Sequence, residues 1–360
     1  MEAPANVKIL SLAEKTLTDA HLAALGDKDI AKTPFLVYHP SALPILGNAP
    51  SLTCVLEHTA YPFAHEAGVY LPSTKSVIVT SNRTTTPAGD PHIAISRLSK
   101  AADSTWSWTE LPPSIPMPNG GVNHPPTGHV LLCSQGTPTA PSGLFLLDPA
   151  NPTAPTPLLT HYHGRPFNSP NDVVVHPADG SIWFTDPVYG WEQGFRPPPA
   201  LPGQLYRFDP ATGDVRVVAD GFGRANGLCF APDGATVYVT DTDRVHGDGT
   251  VDDARASTIY AFDVLSRHGA PFLANRRVFA MADAGVPDGI KCDVQGNVYS
   301  GCGDGLNVWS PAGTLLAKAL VDGGVANFCF TEGGEVVLLN ETKVWVLKLD
   351  PGVRGALLGL

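Results

Sequence analysis

Residues 225–242 read ANGLCFAPDGATVYVTDT. An Asn near the start is followed by small and apolar residues, Pro-Asp-Gly turns the chain, and a run rich in Val, Tyr and Thr returns. β-Branched and aromatic residues on both sides of an Asp-Gly turn read as a β-hairpin. The pattern recurs as HEAGVYLPSTKSVIVTSN from His65, PNGGVNHPPTGHVLLCSQ from Pro118, PNDVVVHPADGSIWFTDP from Pro170, PDGIKCDVQGNVYSGCGD from Pro287 and ANFCFTEGGEVVLLNET from Ala326. Each copy carries an oxygen-bearing side chain at one register: Glu66, Asn119, Asn171, Asn226, Asp288 and Asn327. The intervals of 53, 52, 55, 62 and 39 residues mostly suit the ~40–50 residues of a four-stranded propeller blade. Six copies predict an all-β fold, a six-bladed β-propeller.

Segments such as QLYRFDPATGDVRVVA, from Gln204, supply the outer strand pair of their blades. The 36 Gly and 35 Pro among 360 residues fit many tight turns, and 43% hydrophobic residues allow a large core. Residues 1–30 read as an extension with helix signals around LTDAHLAALGDK, and residues 31–360 as one propeller domain. A propeller closes by pairing one terminus with the blade formed at the other; VKILSL, from Val7, is the favoured strand to complete the last blade beside VWVLKLD, from Val344.

The formal charge of −11, without a Lys/Arg run, argues against nucleic acid. No apolar stretch approaches a membrane span, and the start, MEAPANVKILSLAEK, lacks a secretory pattern, so the cytoplasm is expected unless a leader has been removed. No motif specifies a partner chain. The six cysteines are widely spaced, without CxxC pairs, and read as buried free thiols rather than a zinc site.

In a propeller the first strand of each blade lines the central channel, so the six register-equivalent oxygens converge at the axis. One Asn at a strand entrance caps the backbone; six carboxylates and amides without a cation would leave buried charge unsatisfied. Oxygen-only donors suit a hard ion, calcium before magnesium. His65, beside Glu66, is turned away by strand alternation. The hairpin returns Asn82, Ser134, Asp186, Asp241, Asp304 and Asn340 to the same mouth, where they tie down loops or, for Asp186 and Asp241, orient the ligands.

The stretches FNSPNDVVVHPADGSIWFTD, ANGLCFAPDGATVYVTDT and VPDGIKCDVQGNVY resemble the gluconolactonase and senescence-marker-protein (regucalcin) family. GRPFNSPNDVVV, VYGWEQGFRPPPALPGQLYRFD and SGCGDGLNVWSPAG are most similar to its fungal lactonohydrolases. The resemblance runs from about Leu36 to Val346. It implies a divalent cofactor, usually calcium, with metal ligands at Glu66, Asn226 and Asp288, Asn171 beside metal and substrate, and Asn119 near the site. It also implies a small lactone substrate of the aldonolactone or pantolactone class. Asp288 is the expected general base with Glu66 as fallback, Asn171 and Asn119 bind substrate, and His163, Tyr189, Trp191 and Phe195 are candidate pocket walls. No G-x-S-x-G elbow offers a Ser nucleophile. The alternatives are a calcium-dependent arylesterase or phosphotriesterase-like hydrolase and a non-catalytic calcium-binding propeller.

Overall fold

The computed structural model describes Pro4, residues 6–10 and residues 34–360; the helix signals around residues 17–28 lie outside them. Six antiparallel sheets form a ring. Blade 1 is built from Glu66–Leu71, Ser76–Thr80, Ile95–Lys100 and Trp106–Glu110, and blade 2 from Pro118–His124, His129–Ser134, Gly143–Leu147 and Thr156–Leu159. Blade 3 comprises Val173–Val175, Ile182–Asp186, Gln204–Asp209 and Asp214–Ala219, and blade 4 Ala225–Phe230, Thr236–Asp241, Thr258–Arg267 and Ala270–Met281. Ile290–Cys292, Val298–Cys302, Gly305–Trp309 and Leu315–Leu320 make blade 5. Blade 6 takes Asn327–Phe330, Glu335–Asn340, Lys343–Lys348 and, from far back in the chain, Ser51–Glu57.

Because successive side chains on a strand point to opposite faces, each blade offers one apolar face to each neighbour. The core is accordingly divided into wedges. Val69, Ile78, Val130 and Leu132 fill the wedge between blades 1 and 2; Leu131, Val173, Phe184 and Tyr206 that between 2 and 3; Trp183, Leu228, Val239 and Phe262 that between 3 and 4. Tyr238, Ile259, Ile290 and Trp309 join blades 4 and 5, Tyr299, Leu306, Phe328 and Leu338 join 5 and 6, and Tyr70, Val79, Val337 and Val344 close 6 on 1. Being covered on both faces, the inner strands are buried almost throughout.

The ring closes differently from the sequence expectation. Ser51–Glu57, not Val7–Ile9, the part of VKILSL that forms a described strand, pairs antiparallel with Lys343–Lys348 and completes blade 6. Val7–Ile9 pairs in parallel with Phe35–Val37, which adds antiparallel to Leu315–Leu320 on blade 5. The physical reason lies in that edge: Lys318 has no exposed side-chain surface, pairs with Asp304 at 2.7 Å and Asp283 at 2.5 Å, and is covered by Leu36 in register. Phe35, Leu36 and Val37, each at most 1% exposed, can cover such an edge. Ser51–Glu57, with exposed Thr53, Cys54 and Glu57, suits an outer rim. Cys54 is thus exposed, whereas the other five free thiols are buried as expected. Among the described residues, no helix is long and apolar enough to cross a membrane.

Candidate active site at the channel mouth

Three of the inner strands are bulged where the site residues sit: the ladder shifts between Ala67 and Val69, between Pro118 and Gly121, and between Ala225 and Leu228. A bulge adds one residue to a strand and re-aims its side chain. In blade 1 the re-aiming is forced by two consecutive left-handed residues, Ala67 (φ 67°) and Gly68 (φ 68°), directly after Glu66. A non-Gly residue held there stores local strain beside a functional side chain.

Contacts between neighbouring blades form a closed ring around the mouth. Thr80 Oγ1 donates to the Asn119 carbonyl at 3.1 Å, Gly120 N to the Asn171 carbonyl at 2.8 Å, and Thr185 Oγ1 to the Asn226 carbonyl at 2.7 Å. Thr240 Oγ1 donates to the Asp288 carbonyl at 3.0 Å, Gly289 N to the Ala326 carbonyl at 2.8 Å, and Asn327 Nδ2 to Glu66 Oε2 at 2.7 Å. Thr80, Thr185 and Thr240 occupy equivalent positions in their blades, a repeat present in VTS, FTD and VTD that sequence reasoning passed over. The Gly after Asn119 and Asn226 has a steric cause: a Cβ on Gly120 would collide with the Asn171 carbonyl, and one on Gly227 with that of Asp288.

The returning strand ends act as hooks. Ser134 Oγ donates to the Pro116 carbonyl (2.6 Å) and Asn340 Nδ2 to that of Gly324 (2.6 Å), while Asp186 accepts from Asn168 N (2.9 Å) and Asp241 from Gly223 N (3.0 Å). Each hooked residue lies three positions before its blade's mouth residue. Asp304 departs from the pattern and pairs with Lys318. Asn82 reaches Glu341 at 3.1 Å.

Glu66, Asn119, Asn171, Asn226 and Asn327 are buried, and Asp288 is half-buried. Burial, with the neighbouring Asp288 charge, pushes Glu66 up to about 8. Asp288 is raised to about 6 by burial, with His65 opposing and Glu341 and Asp172 adding to the rise. His65 is held at 2.6 Å by Glu341; burial alone would lower its pKa, but Glu341, helped by Glu66 and Asp288, pushes it up to about 10. It therefore stands as a cation at the carboxylate pair. Asp172, also unforeseen, is buried in the channel with Oδ1 on Val173 N and Oδ2 on Leu228 N, and Lys291 offsets its charge.

Asn171 Oδ1 and Asp288 Oδ1 are buried without any hydrogen-bond partner among the described residues. Such orphans are costly unless something supplies the missing contact, and a hard cation beside two carboxylates and amide oxygens would do so. Among the described residues no three His, Cys, Asp or Glu side chains gather closely enough to hold an ion, so amide oxygens would have to share the work with Glu66 and Asp288. Asn327 does not present an oxygen to the mouth, since its Oδ1 accepts from Phe328 N at 2.8 Å. Of the expected pocket walls, Tyr189 lies near Asp288 and Asn226 and touches Thr242. Phe195 packs with Ile93 and Met117, Trp191 is exposed, and His163 is exposed and rests on Tyr162, which in turn packs on Tyr206.

The model of the SMP-30/gluconolactonase/LRE-like region matches residues 57–338, spanning all six mouth residues. The chain belongs to the SMP-30/gluconolactonase/LRE-like family. Within it, lactonohydrolase oryL of Aspergillus oryzae is 33% identical over 233 residues, covering 59% of this chain and 51% of the relative. Gluconolactonase of Zymomonas mobilis is 27% identical over 239 residues, covering 62% and 60% respectively. The chain thus spans between about half and three-fifths of the length of these relatives. The solved gluconolactonase of Xanthomonas campestris superposes with a TM-score of 0.69 at 25% identity, covering 87% of this chain and 94% of that one.

Proposed function

We propose that this member of the gluconolactonase family hydrolyses a small polar lactone, of the aldonolactone or hydroxy-acid class, with a divalent ion, calcium, at the channel mouth. The observation that carries the reading is the convergence at one mouth of the buried Glu66 and half-buried Asp288 carboxylates with the orphaned Asn171 Oδ1. The names of the relatives supply the reaction class.

Glu66, Asn171, Asn226 and Asp288 would hold the ion, which when bound would polarise the lactone carbonyl and lower the cost of the oxyanion. The Asp288 carboxylate, which can hold the ion with one oxygen and leave the other free, accepts the proton of the attacking water as that water adds to the carbonyl carbon. The ring C–O bond then breaks, and the departing oxygen takes a proton back from Asp288, leaving the hydroxy acid. Asn119 and Asn171 orient the substrate hydroxyls, and Glu341 holds the His65 imidazole beside the mouth. Tyr189, on the short helix Tyr189–Glu192, is placed by the grip of Arg224 on Glu192 and Asp243.

The deciding experiment assays a panel of 1,4- and 1,5-lactones, with an aryl ester and a phosphotriester as controls, in EDTA and after calcium add-back. Turnover of a lactone that EDTA abolishes and calcium restores is expected. Full activity in chelator sinks the metal assignment, and turnover of the controls alone sinks the lactone.

A further inference from the structure

Asn327 sits at the register of the other mouth residues yet faces them with the opposite polarity. Its Oδ1 accepts the Phe328 backbone N–H at 2.8 Å and lies 3.3 Å from Lys291 Nζ. Both of those groups can only donate, so they fix the amide orientation and leave the NH2 end toward Glu66. Nδ2 donates to Glu66 Oε2 at 2.7 Å, whereas Glu66 Oε1 makes no hydrogen bond among the described residues. Lys291 is itself steadied in the channel, with Nζ 5.5 Å from the Phe328 ring centroid and Asp172 as its charge partner. Gly289, directly after Asp288, makes room: a Cβ there would run into the Asn327 side chain.

We propose that Asn327, locked by Lys291, is a positioning residue that grips one oxygen of Glu66 and so reserves the other for the ion. The inference rests on the metal reading above for what Glu66 is positioned toward. Its physical basis is pre-organisation. Glu66 follows no regular pleat, because Ala67 and Gly68 bulge the strand beside it, so its carboxylate would swing without an anchor. The amide holds one carboxylate oxygen without competing for the cation, since an NH2 group has no lone pair to offer a metal. Lys291 prevents the flip that would turn Oδ1 to the site. The residue thereby closes the ring of inter-blade contacts at the seam between the last blade and the first.

The test titrates calcium into the metal-free protein by calorimetry, for wild type, Asn327→Leu, Asn327→Asp, Lys291→Met and the Lys291→Met/Asn327→Leu double variant. Loss of an orienting partner typically weakens metal binding about 10–100-fold, and that loss is expected for both Asn327 variants. A smaller loss is expected for Lys291→Met, with none added once Asn327 is Leu. Asn327→Asp binding calcium as tightly as wild type, or more tightly, would mean that the position is a direct ligand and would overturn the proposal, as would additive losses in the double variant. A second arm needs no ion. In EDTA, the melting-temperature shifts of Glu66→Leu and Asn327→Leu should fall short of additivity when combined, and additive shifts overturn the grip. If wild type binds no divalent ion while this cycle remains non-additive, the metal reading fails and the grip stands.

Discussion

Asp288 is the residue on which the chemistry turns. Its carboxyl, raised to about 6 by burial in the ion-free fold, must be ionised to hold the ion and to accept a proton, so calcium affinity is expected to rise with pH through about 6 and then level, which calorimetry across that range checks. Asp288→Asn should cost about 10²–10⁴-fold in turnover, the usual contribution of a general base; lactone turnover at saturating calcium reads that loss. Glu66 makes a separate prediction about stability. An unfolded glutamate titrates near ~4.3, whereas in the fold burial and Asp288 push Glu66 up to about 8. The folded protein therefore binds more protons between those values, and its stability contribution is present at low pH and lost as pH rises through about 8. Asp186, raised by burial to about 7, acts in the same sense. Urea melts in EDTA across this range should show stability falling with pH, and Glu66→Gln should flatten the fall; an unchanged slope would contradict the assignment. At this scale the sequence was informative about which residues share a register, since a repeated position needs no knowledge of contacts. It was silent about which end of the Asn327 amide faces the mouth, because that is decided by Phe328 N–H and Lys291 Nζ, one local and one from another blade.

At the scale of the element, the inner strands owe their spacing to glycine and their alignment to threonine. Gly227→Ala places a methyl against the Asp288 carbonyl and should destabilise by about 1–3 kcal/mol, the usual cost of overpacking, while also displacing Asp288; thermal melts and lactone turnover read the two effects. Thr240→Val keeps the shape but removes the hydroxyl that donates to that carbonyl, for a loss of about 1 kcal/mol, and Thr240→Ser should restore most of it. The hairpins were legible because their turns carry Asp-Gly, Gly-Asn or Gly-Gly between β-branched runs. The bulges were not: Glu66-Ala67-Gly68 obeys no simple alternation, and nothing in the one-dimensional pattern announces a left-handed alanine.

At the scale of the molecule, six-foldness could be counted before any coordinate was known, whereas closure could not. Val7–Ile9, Phe35–Val37 and Ser51–Glu57 are all short and β-prone, and what separates them is the partner edge each can cover. Phe35–Val37 shields the buried Lys318 of blade 5. Removing residues 1–38 should therefore lower the melting temperature while leaving the mouth residues in place, and Lys318→Met should cost about 3 kcal/mol by stranding Asp304, the less exposed of its two aspartate partners; a melting temperature unchanged in both would show that the covered ion pair carries no stability. The closing strand has a further consequence, in time rather than space. Ser51–Glu57 leaves the ribosome ahead of its partner Lys343–Lys348 by roughly 15–60 s at ~5–20 residues per second. Throughout that wait the nascent arc carries an unpaired edge, so folding yield in the cell should depend on how well that edge is shielded until the final blade arrives.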